Sequence, residues 1–260
     1  MKVMVMSDIH AGSPFGLTHP RWHWKQNDDP ERSKIVDLQR LFWNWYDKKL
    51  KEIGKVDHVV INGDAIEGKG KKSGGCELLT TDCLEQGDMA FDVINHVQAS
   101  EYFMTYGTAY HTGDAEDFEK PIADKLNAQI GNHLRIDFGG LIFDFKHFIG
   151  GGGSSPLTKN NAVLKEQFLE ILKADIEGEE KSDIFIRSHR HNYTDASGLL
   201  PNTRIFVTPA LKACGEKYER VCSGIVDVGF LLFDITSKTK WGFTPIQFRM
   251  KYNLPEIIRT

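Results

Sequence analysis

Short apolar runs that alternate with helical patterns are the feature that most limits how this chain can fold. Residues 2–6, 56–61 and 101–106 are short, largely apolar runs typical of buried strands. Between them, residues 30–53 and 86–100 repeat apolar side chains at the spacing of one helix face. Parallel strands need a long crossover connection, which is usually a helix. The first part of the chain therefore predicts a parallel sheet with helices on its faces.

The second part of the chain contains more strands than helices. A helix is predicted at 116–129 and another at 161–176, and residues 134–148 predict a hairpin that turns at Gly139-Gly140. Further strands are predicted at 184–187, 204–207, 226–235 and 243–250. This order indicates an α/β layered core with a second, more antiparallel sheet. Because no internal repeat or linker is evident, we expect a single domain over residues 1–260.

Composition excludes several broad classes of protein. The apolar fraction of 40% and the charged fraction of 26% are those of a globular protein. The net charge of −4 argues against a general nucleic-acid coat protein, and Lys69, Lys71 and Lys72 form the only short basic cluster. The sequence has no apolar run of membrane-spanning length, and its start is too soon charged for a signal peptide. The four cysteines lack C-x-x-C spacing, which favours free thiols and a cytoplasmic location, with disulfides as the alternative.

A carboxylate or an imidazole follows each of five predicted strands. These residues are Asp8 and His10, then Asp64 and Glu67, then His111, then His147, and finally His189 and His191. In open α/β sheets, ligand sites gather beyond the carboxyl ends of the strands. Residues i and i+2 of an extended backbone share one face, so we expect each Asp-x-His or His-x-His pair to converge on one point.

Imidazole and carboxylate ligands without thiolate suit manganese, iron, zinc and nickel. Six or more candidate ligands exceed the needs of one tetrahedral ion, so the set favours two divalent ions that share a bridging carboxylate. Each short motif alone is common by chance, and only their joint occurrence at strand ends carries this prediction.

The motifs Asp8-Ile9-His10, Gly63-Asp64-Ala65-Ile66-Glu67, His147 and His189-Arg190-His191 occur in a characteristic order. On these motifs the chain resembles the calcineurin-like metallophosphoesterase superfamily, over about residues 1–235. Ser188 stands where that family has a glycine before its His-x-His pair. The resemblance implies an α-β-β-α sandwich of two mixed sheets flanked by helices.

The family also carries a Gly-Asn-His element, for which this sequence offers two candidates. Gly107-Thr108-Ala109-Tyr110-His111 follows the third predicted strand and looks like the form in phage-encoded members. A literal Gly131-Asn132-His133 follows a predicted helix, and no strand is predicted before it. We therefore expect His111 to be the catalytic histidine, with His133 as the alternative.

The resemblance implies a role for each matched residue. Asp8, His10 and His191 would hold one ion, and Asp64 would bridge to a second ion held by His147 and His189, with Thr108 as a further candidate ligand. Manganese is the favoured metal. The implied reaction is hydrolysis of a phosphomonoester or phosphodiester by metal-bound hydroxide, with His111 protonating the leaving oxygen or binding the phosphoryl group. A phosphodiester is slightly favoured, with a nucleotide or nucleic acid as a possible substrate.

The same residues also allow two other functions. The family asparagine is replaced by Thr108, so the chain could be a non-catalytic, metal-stabilised scaffold or binding module. It could also hydrolyse its substrate with only the first ion in place. Glu67 has two readings, as a carboxylate that orients a metal ligand or as a solvated loop residue.

Overall fold

The computed structural model describes residues 1–26, 29–70, 74–75, 77–112, 116–150, 160–196, 203–215 and 226–249. Lys71, Lys72, Cys76 and Cys222 lie outside these residues. The strands are β1 Lys2–Met6, β2 Val56–Asn62, β3 Ala99–Thr105, β4 Gln129–Gly131, β5 Leu134–Phe138, β6 Leu141–Phe145, β7 Ile184–Arg187, β8 Thr194–Asp195, β9 Arg204–Val207, β10 Val228–Ser237 and β11 Lys240–Phe248. The helices are α1 Pro30–Ile53, α2 Cys83–Asn95, α3 Ala109–Thr112, α4 Lys120–Leu126 and α5 Asn161–Glu177, and Pro20–Trp22 form a 3₁₀ turn.

The strands form two mixed sheets. The first sheet has the order β11-β10-β1-β2-β3-β4, in which β1 to β4 are parallel and β10 and β11 are antiparallel to their neighbours. The second has the order β5-β6-β7-β9-β8, with β6, β7 and β9 parallel. Residues that follow the parallel strands therefore lie together at the carboxyl end of each sheet.

Side-chain alternation explains how the sheets stack. Val3 and Val5 of β1 pack in a buried cluster between the two sheets, together with Phe143 and Phe145 of β6. The intervening Met4 packs on the opposite face, in the cluster that includes residues of α1 and α2. Because successive strand residues point to opposite faces, one strand supplies both layers. Each fully buried Val or Phe contributes about 1.5–3 kcal/mol to the stability of this core.

Helices cover the outer face of each sheet. The helix α1 begins after Asp29, whose side chain accepts the N–H of Glu31, and it ends at Ile53, before Gly54 with its positive φ of 71°. On the far side, Val163 of α5 packs on Phe185, Ile205 and neighbouring residues of the second sheet. The predicted α-β-β-α sandwich of two mixed sheets flanked by helices is thus confirmed.

The predicted elements are largely confirmed, with a few differences in extent. The bounds of β1, β7 and β9 agree with the predictions, as does the turn of the hairpin at Gly139-Gly140. The helix predicted at 116–129 is shorter and covers only Lys120–Leu126. Its last predicted residue, Gln129, already belongs to β4. The prediction that no strand precedes Gly131-Asn132-His133 is therefore wrong, since β4 pairs in parallel with β3. In the described residues, no helix combines the length and the apolarity needed to cross a membrane.

Candidate metal centre

The predicted ligand residues directly follow parallel strands of both sheets. Asp8 and His10 follow β1, and Asp64 follows β2 in the first sheet. In the second sheet, His147 follows β6, and His189 with His191 follows β7. The two sheets stack face to face, and the ends of these four strands meet at one edge of the sandwich.

At five of these six positions, all except His147, the backbone is left-handed rather than extended. The φ angles are 50° at Asp8, His10 and Asp64, 71° at His189 and 52° at His191. The predicted convergence of i and i+2 residues on an extended strand is therefore wrong in its mechanism. Aspartate and histidine tolerate a positive φ better than most residues. These residue types thus provide metal-ligand chemistry at backbone positions that most side chains disfavour.

Asp8, His10 and His191 form a first cluster of donor atoms. The Nε2 atoms of His10 and His191 lie 3.0 Å apart, and His191 Nε2 lies 3.3 Å from Asp8 Oδ1. Asp8 Oδ1 is buried and has no hydrogen-bond partner among the described residues. Two imidazole nitrogens and a carboxylate oxygen that face one another in this way fit a divalent cation between them.

Asp64 connects this cluster to a second one. Its Oδ2 lies 2.9 Å from His147 Nε2 and 3.8 Å from His189 Nδ1. Its ligand atoms also group with those of His10 and His111 within 4.8 Å. Asp64 is therefore placed to share its carboxylate between two cations, and the donor set fits the two-ion arrangement.

Contacts on the far side of three imidazoles, those of His147, His111 and His10, limit their orientation. His147 Nδ1 donates to the backbone oxygen of Asn62 over 2.7 Å, so Nε2 is the ring nitrogen that faces Asp64. His111 Nδ1 donates in the same way to the backbone oxygen of Glu67 over 2.7 Å. His10 Nδ1 lies 2.9 Å from the buried carboxylate of Glu67, which also pairs with Lys212. The structure therefore favours the reading in which Glu67 orients a ligand.

The electrostatics of the centre keep its carboxylates ionised. Burial raises the pKa of Asp64, but the charge and hydrogen bond of His147 outweigh it and hold that pKa well below its usual value. In Asp8, burial is likewise outweighed by His191, and the pKa is lowered. Burial lowers the pKa of His10 well below its usual value, which leaves the neutral form that binds metals. Burial also lowers the pKa of His147, yet the charge of Asp64 raises it to about 10.

Thr108 and His111 both lie next to the Asp64 carboxylate. The N–H and hydroxyl of Thr108 donate to Asp64 Oδ1 over 2.7 and 3.2 Å. This contact makes Thr108 an orienting residue for the carboxylate, while its part as a metal ligand stays a prediction. His111 Nε2 lies 3.9 Å from Asp64 Oδ2, and its ring centroid is 4.5 Å from that of His10. His111 thus borders the centre without a close contact to the carboxylate.

The alternative histidine, His133, belongs to another cluster. Its Nε2 lies 2.8 Å from Asp144 Oδ2, and these two residues group with Glu170. Arg187 pairs with Asp144 over 2.9 Å, and Lys146 with Glu170 over 2.6 Å. Of the two candidate histidines, the structure brings His111 and not His133 into contact with the predicted ligands.

Several buried residues of the centre were not predicted from the sequence. Glu119 accepts hydrogen bonds from the backbone N–H groups of Ala65 and Gly107, and burial raises its pKa to about 7. The side chain of Asn62 donates to Ser188 Oγ over 2.6 Å and so connects the ends of β2 and β7. A glutamate before a helix resembles an ordinary helix start, and Asn62 resembles a strand end, so neither carries a sequence signal of its own.

Comparisons with known proteins yield structural similarities only. The chain is similar to Vps29 from Entamoeba histolytica complexed with Zn²⁺, at 13% identity over 96% of this chain and 100% of that chain, with a TM-score of 0.40. It is similar to an archaeal phosphodiesterase at 13% identity over 95% and 100% of the two chains, with a TM-score of 0.43. A predicted phosphoesterase from Streptococcus pneumoniae matches at 12% identity over 94% and 97%, with a TM-score of 0.39. No family model and no curated protein matches the sequence.

Proposed function

We propose that this protein is a metal-dependent phosphoric ester hydrolase of the calcineurin-like type with a dinuclear centre. The observation that carries the proposal is the Asp64 carboxylate, which lies between the Asp8–His10–His191 cluster and the His147–His189 pair. In this assignment Asp8, His10 and His191 hold the first ion, His147 and His189 hold the second, and Asp64 contacts both. Manganese is the favoured metal for this nitrogen and oxygen donor set.

Bound divalent ions would supply Lewis acidity and lower the pKa of coordinated water toward about 7. The chain itself contributes positioning and a proton. His111 is anchored through Nδ1 to the Glu67 carbonyl, so its free Nε2 faces the centre. A proton on that nitrogen can pass to the leaving oxygen of the ester. General acids that do this typically accelerate the reaction about 100- to 10,000-fold.

The cavity next to His147, one of the proposed ligands of the second ion, favours a diester over a small monoester. It has a volume of about 1080 Å³, and its lining includes Thr108, Asn132, His147, Phe148 and Lys165. With the phosphorus at His147, one ester arm of the substrate extends into this space. Phe148 is 58% exposed and lies 5.1 Å from the His189 ring, so it offers a surface on which a base of a nucleotide could stack.

The test compares two histidine variants on synthetic substrates. Metal-stripped protein is supplied with Mn²⁺ and assayed with chromogenic phosphomonoester and phosphodiester substrates. We expect turnover that depends on the metal, is higher on the diester, is lost in His111→Ala and is retained in His133→Ala. The reverse order of the two variants would overturn the assignment of His111.

The second candidate function is a non-catalytic, metal-stabilised scaffold or binding module. It is favoured by Thr108, which stands where the family has asparagine. The Thr108 hydroxyl donates to Asp64, and threonine has no amide oxygen that could bind an ion. Ion binding without turnover on any substrate in a broad panel would support this function. Elemental analysis that finds one ion per chain would instead support a mononuclear hydrolase.

A further inference from the structure

Glu119 is a fully buried carboxylate whose contacts lie at the candidate metal centre. It directly precedes α4 but makes no side-chain capping hydrogen bond to that helix. The capping contacts come from Asp117, whose Oδ1 accepts the N–H groups of Glu119 and Lys120 over 3.1 and 2.9 Å. The Glu119 side chain is therefore free of the helix and turned toward the strand ends.

The two donors to Glu119 belong to two different loops. Its Oε1 accepts the N–H of Ala65 over 2.9 Å, and its Oε2 accepts the N–H of Gly107 over 2.7 Å. Ala65 directly follows Asp64 after β2, and Gly107 directly precedes Thr108 after β3. One carboxylate thus holds together the two segments that carry Asp64 and Thr108.

The approach of these loops is close enough to constrain the residues in them. A Cβ atom on Gly107 would overlap Oδ1 and the backbone N of Asp64, so only glycine fits there. At this separation Thr108 donates both its N–H and its hydroxyl to Asp64. A small shift between the two loops would break those bonds and turn the carboxylate that His147 and His189 face.

The charge around Glu119 also points to cations in the centre. Asp8, Asp64, Glu67 and Glu119 are all buried. In the described part of the chain, Lys212 is the one lysine or arginine that forms an ion pair with any of them, through Glu67. Buried carboxylates are costly unless cations balance them, and bound divalent ions would balance the charge that Lys212 and the neighbouring histidines leave.

We propose that Glu119 is a positioning residue, which sets the geometry of the ion position formed by Asp64, His147 and His189. The inference rests on the proposed function, because it requires that ions bind at this centre. Partners of this kind, one step removed from the metal ligands, typically change metal affinity by about 10- to 100-fold when they are replaced.

The test is a titration of metal-stripped protein with Mn²⁺ by calorimetry, in the full chain. In Glu119→Gln the side chain keeps one acceptor oxygen and presents an amide N–H₂ group to the other donor. We expect the wild type to bind two ions. In the variant, the affinity for one ion should fall at least about tenfold, while the affinity for the other ion changes much less. Asp117→Asn, the same chemical change on the helix-capping neighbour, should leave both affinities unchanged.

The outcomes separate the two proposals. If Glu119→Gln binds both ions as the wild type does, the role of Glu119 is wrong while the proposed function stands. If the wild type itself binds no ion, the proposed function is wrong and this inference with it. A merely structural role would lower thermal stability without changing the ratio of the two affinities. Should Glu119→Gln not fold, Glu119→Asp is titrated instead, since it keeps the charge but is too short to reach both loops, and the same weakening is expected.

Discussion

Among the described residues, the candidate metal centre and the cluster of His133, Asp144 and Glu170 both combine histidines with carboxylates, but they differ in what balances their charge. In the cluster of His133, Asp144 and Glu170, Asp144 pairs with Arg187, and Glu170 pairs with Lys146 and Lys173. In the candidate metal centre, Asp8 and Asp64 have only histidines as ion-pair partners among the described residues. Proximity of such residues therefore does not by itself define a metal site, because side-chain cations can already neutralise the carboxylates.

The backbone separates the two clusters as well. Five candidate ligands, Asp8, His10, Asp64, His189 and His191, have positive φ angles, whereas the sixth, His147, does not, and neither do His133, Asp144 and Glu170. Sparsely populated backbone conformations cost about 1–3 kcal/mol each and gather at functional sites. This difference supports the proposed ion site in the first cluster and a structural role for the cluster of His133, Asp144 and Glu170.

The largest expected effect is a loss of turnover when the carboxylate of the candidate metal centre is changed, but not when that of the other cluster is changed. Asp64→Asn removes the charge shared by both ion positions and should reduce metal-dependent turnover at least about 1000-fold, since metal ions supply several kcal/mol of transition-state stabilisation. Asp144→Asn makes the same chemical change in the other cluster and should retain turnover per folded molecule. The measurement is kcat on a chromogenic phosphodiester with saturating Mn²⁺, and equal losses in the two variants would remove the distinction.

The next effect is on stability and falls on the other cluster. Arg187 is fully buried and pairs with Asp144 and Glu166. Arg187→Leu leaves Asp144 buried without its main cation and should lower the free energy of unfolding by about 3–5 kcal/mol. Urea denaturation measures the change, with the half-exposed Arg40→Leu as control, expected within about 0.5 kcal/mol of the wild type. Similar values for both variants would contradict the structural role of Arg187.

The smallest expected effect is on how the free energy of unfolding depends on pH through Asp144. Burial raises the pKa of Asp144, but the hydrogen bond of His133 and the charge of Arg187 outweigh it, so the pKa of the folded state lies below 3.8. The stabilisation by the ionised carboxylate is therefore complete above pH 3.8 and is lost as the pH falls through the lower, folded-state value. The difference in unfolding free energy between wild type and Asp144→Asn should narrow over that acid range. A difference that is constant with pH would show that the ionisation of Asp144 does not contribute.

Much of the fold was predictable from the sequence because strong apolar patterns specify it. The runs Lys2–Met6 and Ile184–Arg187 are short, apolar and bounded by polar residues, so their extent was correctly predicted. The strand Gln129–Gly131 was missed because three residues are too few to show alternation. The helix α2 begins at Cys83, before the predicted start, and its signal was Asp82, which accepts the N–H groups of Leu84 and Glu85.

The candidate site was predictable in its residues but not in its geometry. Strand-end positions pointed to Asp8, Asp64, His147 and His189, and the structure brings these side chains together. The left-handed backbone at Asp8 and Asp64 could not be predicted, because it depends on hydrogen bonds between distant loops, such as Asp8 N–H to the Gly63 oxygen at 3.0 Å. Glu119 was missed for the same reason, since its importance comes from tertiary contacts alone.

The positive φ angles at the candidate ligands determine which substitutions are informative there. Alanine at Asp8 or His191 would remove a ligand and also place an ordinary residue in a left-handed conformation, which costs about 1–2 kcal/mol. Asparagine accepts that conformation more readily, so it reports on the lost ligand with less backbone penalty. An alanine scan of this centre would thus overstate how much each side chain contributes to folding, and an asparagine scan is the better measure.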